Sequence, residues 1–245
     1  MSELAGRRAL ITGGAVRIGR ALSLACAELG MDVAVHYHRS AQDAEVTAEE
    51  CRLRGVRAMT IAGDLSQAAE CRRVVAEAEL ALGAVDVLVN SAANFVSGRF
   101  EDLTEEQLDL ALDVNVKGPF FCSQAAASGM IARGWGRIVN MTDVAGLEPW
   151  PRFLPHCVSK AAVVMLTRSL AQTLAPTVLV NAIAPGAVLM PDGSTADRVR
   201  RSEDKTVLGR VGSPEDVGAA LAYLLTADYV TGHTLVVDGG RMVRP

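Results

Sequence analysis

The chain has 245 residues, half of them apolar, with 24 Lys and Arg against 28 Asp and Glu and a formal net charge of -4. That length suits one α/β domain with a large core, and the faintly acidic balance gives no electrostatic reason for nucleic acid or an anionic membrane as partner. The opening segment from Met1 to Arg8 lacks a signal-peptide apolar core, and no later run reaches the roughly 18 apolar residues of a membrane span, so the sequence reads as a cytoplasmic protein acting on a small molecule.

Short apolar runs alternate with longer amphipathic segments. The first run, Ala9-Leu10-Ile11, leads into Thr12-Gly13-Gly14-Ala15-Val16-Arg17-Ile18-Gly19 and a helical pattern from Arg20 to Cys26. A strand, a glycine turn and a helix in that order can hold a pyrophosphate, because glycines admit a close backbone and the helix start offers free N–H groups and a positive dipole end. The second run, Val33-Ala34-Val35, ends in His36-Tyr37-His38-Arg39-Ser40. An NAD site would carry an acid there to grip the ribose 2′-hydroxyl. None is present. Arg39 and Ser40, with His38 and with Arg17 across the turn, instead offer donors for a 2′-phosphate, which points to NADPH/NADP+. His36 and His38 share a strand face but have no evident third ligand, so no metal site is expected.

The third run, Ala58-Met59-Thr60-Ile61, leads to Gly63-Asp64-Leu65-Ser66, and the fourth, Val87-Leu88-Val89, to Asn90-Ser91-Ala92-Ala93. Asp64, Leu65 and Asn90 thus stand at carboxyl strand ends, where open α/β sheets bind ligands, and adenine and ribose contacts are their expected roles. Runs at 138–141, 178–180 and 235–237 bring the strands to seven. Runs without strict alternation suit strands covered on both faces, and helix-length connections imply right-handed crossovers and a parallel sheet. The expectation is a Rossmann-like doubly wound parallel sheet of about seven strands in a single domain, 1–245. Pro185–Ser202, with Pro185, Gly186, Pro191 and Gly193, reads as an irregular substrate loop and lid. Ala161–Leu166 is apolar on nearly every helix face, which calls for a partner subunit. Five scattered cysteines without C-x-x-C spacing suit reduced thiols.

Thr12–Gly19, Asp64, the Asn90 turn, Asn115, the Lys160 helix, Pro185-Gly186 and the closing Tyr229-Val230-Thr231-Gly232 and Val237-Asp238-Gly239-Gly240 together resemble the short-chain dehydrogenase/reductase family over nearly the whole chain. The resemblance implies an NADPH-dependent oxidoreductase whose turn residues Gly13, Arg17, Ile18 and Gly19, with Pro185 and Gly186, line the cofactor. It implies that Lys160 binds the nicotinamide ribose, that Asn115 holds a helix bend and a proton-relay water, and that the protein is a homotetramer with Tyr229–Pro245 near an interface. Arg17 and His36–Ala41 are further similar to the pteridine reductase branch, which reduces pterins or folates. On that likeness Asp143 takes the place of a catalytic serine and Phe95 stacks on the substrate.

One departure stands at the family's Tyr-x-x-x-Lys, which here reads His156-Cys157-Val158-Ser159-Lys160. Spacing i,i+4 still puts His156 and Lys160 on one helix face, and Asp143 precedes His156 by the thirteen residues that separate serine and tyrosine in the family pattern. Hydride delivery to C=N or C=O needs a proton for the heteroatom. Imidazole, with a reference pKa near 6.5 against about 10 for phenol, is able to give one. The sequence leaves three readings open: reduction of a dihydropterin-like substrate, reduction of a 3-oxoacyl thioester or other carbonyl, and NADPH binding without catalysis. Either His156 or Asp143 is the candidate proton donor.

Overall fold

In the computed structural model, which describes residues 4–190 and 193–244, all seven apolar runs are strands. They are β1 (Arg8–Thr12), β2 (Asp32–Tyr37), β3 (Ala58–Ala62), β4 (Val87–Asn90), β5 (Gly136–Met141), β6 (Val178–Pro185) and β7 (Thr234–Val237). They pair in parallel, in the order β3-β2-β1-β4-β5-β6-β7. The helices between them are α1 (Arg17–Glu28), α2 (Ala41–Arg52), α3 (Ala68–Leu82), α4 (Glu105–Leu112), α5 (Gly118–Ala132), α6 (Leu154–Leu174), α7 (Ala196–Glu203) and α8 (Pro214–Thr226). The expected Rossmann-like doubly wound sheet is the fold. Expectations attached to Met1–Glu3, Pro191 and Pro245 lie outside the described residues.

Successive side chains of each strand serve opposite cores. Ala9 and Ile11 of β1, Val33 and Val35 of β2, and Val87 and Val89 of β4 pack with Leu22, Ala48 and Leu221 of α1, α2 and α8. Leu10, Ala34 and Leu88, one residue out of phase, pack with Val74, Ala126 and Ala171 of α3, α5 and α6. Burying both faces explains why the strands read as continuous apolar runs. It also sends the connection after β1 to one face and that after β4 to the other, and a crevice opens where they part, at the carboxyl edge. The Thr12 hydroxyl spans that gap, accepting from the Ser91 and Ala92 N–H groups at 2.9 and 3.1 Å.

One expectation needs correction. Pro185–Ser202 is not irregular throughout: β6 runs on to Pro185, and α7 begins at Ala196, capped by the Thr195 hydroxyl accepting from Arg198 N–H. Glycine and proline in the segment masked a helix whose every residue is partly or fully exposed, so no apolar periodicity marks it. A π-helical turn at Asp113–Lys117, containing Asn115, joins α4 and α5. Among the described residues no helix is long and apolar enough to cross a membrane, and no group of three or more His, Cys, Asp or Glu is placed to hold a metal.

At the opposite edge of the sheet Asp86, 1% exposed, accepts from the Arg8 guanidinium at 2.6 Å and from Arg133 at 3.3 Å. Its loss leaves two guanidinium groups without their anion, though both still reach water. Asp86→Ala is expected to lower unfolding free energy by about 2 to 4 kcal/mol in urea melts; a loss below about 0.5 kcal/mol would show these bonds to be idle.

Candidate active site

The crevice is a cleft of about 1290 Å³. Its floor is the glycine turn after β1. Gly13 sits at φ +62, and a Cβ there would lie 2.8 Å from Ala92 Cα; at Gly19 it would overlap the Gly13 carbonyl. The turn's carbonyls are held from behind. The Thr47 hydroxyl of α2 donates to Ala15 at 2.8 Å, and the Ser23 hydroxyl lies 3.1 Å from the Gly14 and Gly19 oxygens. The helical ladder begins with Arg20 N–H donating to Val16 at 3.1 Å, so the N–H groups of Arg17, Ile18 and Gly19 are the orphan donors of a helix start.

His36 anchors this turn, a role the sequence alone did not reveal. Gly13 N–H donates to its Nδ1 at 3.0 Å, and its Nε2 lies 3.1 Å from the Gly63 carbonyl. A carbonyl only accepts, so Nε2 carries the proton and Nδ1 is the acceptor. Burial, the largest cause, pushes the pKa of His36 down to about 4, against the Gly63 hydrogen bond. Arg17 takes φ +54, the only described non-glycine residue at positive φ, a conformation costing on the order of 1 kcal/mol. Its guanidinium reaches the Leu189 carbonyl at 3.5 Å.

His38, Arg39, Ser40, Asp64 and Leu65 all line the cleft beyond the turn, as do Pro185 and Gly186. Burial works to raise the Asp64 carboxyl, but the Ser66 N–H and hydroxyl, with His38 and Arg39 nearby, outweigh it and hold it below its ordinary value. Asn90 departs from expectation. Its side chain is turned beneath the floor, where the amide donates to Ser123 Oγ at 3.1 Å and to Asn140 Oδ1 at 2.8 Å, so it braces β4 against β5 rather than lining the cleft.

At the other end of the cleft, Asp143, His156 and Lys160 come together. Asp143 caps a single 3-10 turn, Val144–Gly146, its Oδ1 accepting from Ala145 N–H at 2.7 Å. The turn lies flat on α6 because Gly146 has no side chain: a Cβ there would be 2.8 Å from the Lys160 carbonyl carbon. This brings Asp143 Oδ2 to 3.6 Å from His156 Nε2. His156 is 3% exposed, and neither ring nitrogen has a hydrogen-bond partner in the protein. Lys160 Nζ donates to the Met141 carbonyl at 2.8 Å; burial lowers its pKa to about 8, opposed by Asp143.

Asn115 stands one layer behind. Its amide donates to the Asn94 carbonyl and to Ser159 Oγ, and its Oδ1 accepts from Asn94 N–H at 2.9 Å, tying the β4 turn to α6. Phe95, 55% exposed on the cleft wall, packs edge-on against His156 with centroids 4.3 Å apart and tilted against Phe153 at 4.7 Å. Trp150 and Phe153 extend this wall. They were not singled out individually in the sequence because no periodic pattern marks their loop.

A family profile described as Enoyl-(Acyl carrier protein) reductase matches residues 14–241. The 3-oxoacyl-[acyl-carrier-protein] reductase FabG of Staphylococcus aureus is 34% identical over 239 residues, 96% of this chain and 97% of its own. A short-chain dehydrogenase/reductase of Hericium erinaceus, eriH, is 35% identical over 96% of this chain and 97% of its own. Among solved structures, a short chain dehydrogenase from Burkholderia cenocepacia in complex with NADP superposes with a TM-score of 0.91 at 33% identity, covering 98% of this chain and all of that one. Acetoin dehydrogenase YohF from Salmonella typhimurium gives 0.90 at 36% identity, over 98% and 97% of the two chains.

The His36 anchor has a pH signature. Its folded pKa lies below the unfolded reference near 6.5, so its contribution is complete above about pH 6.5 and is lost as pH falls toward 4, by up to about 3 kcal/mol. Urea midpoints of the wild type are therefore expected to fall between pH 7 and 4.5 more steeply than those of His36→Asn. Parallel slopes would assign the acid sensitivity to other groups.

Proposed function

The chain belongs to the short-chain dehydrogenase/reductase family, and from that membership we propose that it is an NADPH-dependent reductase of a carbonyl group with His156 as proton donor. One observation carries the reading: a buried imidazole with both nitrogens unpartnered faces the cleft beside Asp143 and Lys160. A buried polar group without a partner costs about 1 to 3 kcal/mol, and a substrate oxygen would supply the missing bond.

The residues at the other end fit NADPH. The glycine turn leaves room where a Cβ would intrude, and the orphan N–H groups of α1 suit a pyrophosphate. Arg39 and Arg17 face the cleft with no carboxylate partner among the described residues, placed with Ser40 for a 2′-phosphate. When bound, NADPH supplies the hydride that the carbonyl carbon accepts, leaving NADP+. His156 then gives its proton to the carbonyl oxygen, and the Asp143 carboxylate offsets the charge of the imidazolium that donates. Lys160, fixed to Met141, holds the nicotinamide ribose, and Asn115 keeps the β4 turn and α6 in register.

The names of the relatives favour 3-oxoacyl thioesters or small ketones as substrates. The pterin reading keeps one supporting observation, the exposed face of Phe95 on the cleft wall, and a panel holding both substrate classes separates the two. Exposed Met165 on α6 and Phe120 on α5 leave an apolar face that the proposed homotetramer would cover.

Two results are expected. In an NADPH-oxidation assay over dihydropterins, acetoacetyl thioesters and ketones, His156→Phe lowers kcat/KM by about 10² to 10⁴-fold with NADPH affinity kept, Asp143→Asn lowers it less, and His156→Tyr retains activity. Unchanged turnover in the first two variants would sink the assignment, and NADPH binding without turnover of any compound would favour a non-catalytic protein. In fluorescence titrations Arg39→Ala weakens NADPH by about 10 to 100-fold and NADH hardly at all; equal wild-type affinity for both cofactors would refute the 2′-phosphate site.

A further inference from the structure

The cleft carries more positive charge than its cofactor end explains. Besides Arg17, Arg39 and Lys160, its wall includes Arg152, Arg198, Lys205 and Arg241, while its only acids among the described residues are Asp64 and Asp143. None of those four has a carboxylate within 4.0 Å among the described residues, and they line one cleft together.

Two of the four adjoin the aromatic wall near His156, and the other two line the same cleft from α7 and its end. The Arg152 carbonyl accepts from Gly98 N–H at 2.9 Å, and Arg152 directly precedes Phe153. The Arg241 guanidinium lies over the Trp150 ring at 5.0 Å. Arg198 and Ser202 line the cleft from one face of α7, a turn apart, with Lys205 just beyond the helix end. That end is fastened beside Arg241, since the Thr206 side chain lies against Gly239 and Leu208 N–H donates to the Gly239 carbonyl. The acid nearest in sequence to Arg241, Asp238, is already engaged by the N–H groups of Gly240 and Met242 at 2.8 Å each. Asp197, Glu203 and Asp204 belong to α7 and its cap but do not line the cleft.

Unpaired like charges around a partly desolvated cleft repel one another and focus a field that attracts an anion. Guanidinium groups in particular match the oxygens of a carboxylate or phosphate. Between Arg241 and His156 lies the apolar surface of Trp150, Phe153 and Phe95, in contact in that order. We propose that the substrate bears an oxyanion, carboxylate or phosphate, at the end away from its reacting carbonyl, held by Arg152, Arg198, Lys205 and Arg241. The identity of the reacting group rests on the reductase reading; the anion site does not.

The test uses two pairs that differ in the distal charge with the NADPH-loaded enzyme: 4-oxo-4-phenylbutanoate against its methyl ester, and S-acetoacetyl-pantetheine 4′-phosphate against the dephosphorylated compound. The charged member of at least one pair is expected to be preferred in kcat/KM by on the order of tenfold. Arg152→Gln/Arg241→Gln should reduce turnover of that member about tenfold more than of its neutral twin. Preference in the first pair identifies a small acid, and preference confined to the second identifies a phosphate on a pantetheine arm. Equal turnover within both pairs, or equal losses for both members in the variant, would overturn the proposal. Should no probe be reduced, the reductase reading fails by itself, and calorimetry with the NADP+ complex decides the anion site: tighter binding of a charged member supports it, and equal or absent binding overturns it.

Discussion

A parallel sheet must be covered on both faces, and every feature of the cleft follows from how this chain meets that demand. The connection after β1 packs on one side and the connection after β4 on the other, so two neighbouring strands end in an open crevice. The Thr12 hydroxyl closes the gap at its base by taking the first N–H groups beyond β4. From that junction the glycine turn runs one way toward α1 and the Ser91–Phe95 segment the other. The two halves of the site are therefore set at one point of the sheet, and a shift of β4 against β1 would move both.

Stability is given up in the same place. Arg17 holds a left-handed backbone, His156 buries two unpartnered nitrogens, and Lys160 keeps its ammonium within the protein at the expense of solvation. Such costs persist only where surrounding structure overdetermines them. Here that support is visible: Gly146 lets the Asp143 turn lie on α6, the Met141 carbonyl receives Lys160, and Asn115 bridges Asn94 and Ser159. The packing that fixes these groups is remote from solvent, while the atoms left wanting a partner face the cleft.

The strands and the glycine turn were legible because their signals are local. Apolar runs such as Val87–Val89 need burial whatever surrounds them, and glycines before a helix start announce a close backbone. Asn90 was misplaced for the opposite reason: its position at a strand end was readable, but the direction of its amide depends on Asn140 and Ser123, fifty and thirty-three residues away. The His36 anchor likewise joins three segments, and α7 lacks a buried face to imprint a period on its sequence. The charge on the cleft wall leaves no local signal, because Arg152, Arg198 and Arg241 are scattered along the chain and only the fold assembles them.

The pairing of Asp143 with His156 also makes chemical sense as a unit. A phenol titrates near 10 as a reference group, so a tyrosine acting near neutrality depends on a neighbouring cation to favour its ionised form. An imidazole is protonated to a useful extent without that help, and a nearby ammonium works against its charged form. The Asp143 carboxylate stands 3.6 Å from the His156 ring, and it opposes the burial that lowers Lys160. In the proposed mechanism this one acid serves two buried nitrogen groups, His156 and Lys160. In that mechanism the acid at 143 and the imidazole at 156 therefore act together, the carboxylate offsetting the charge of the ring that donates.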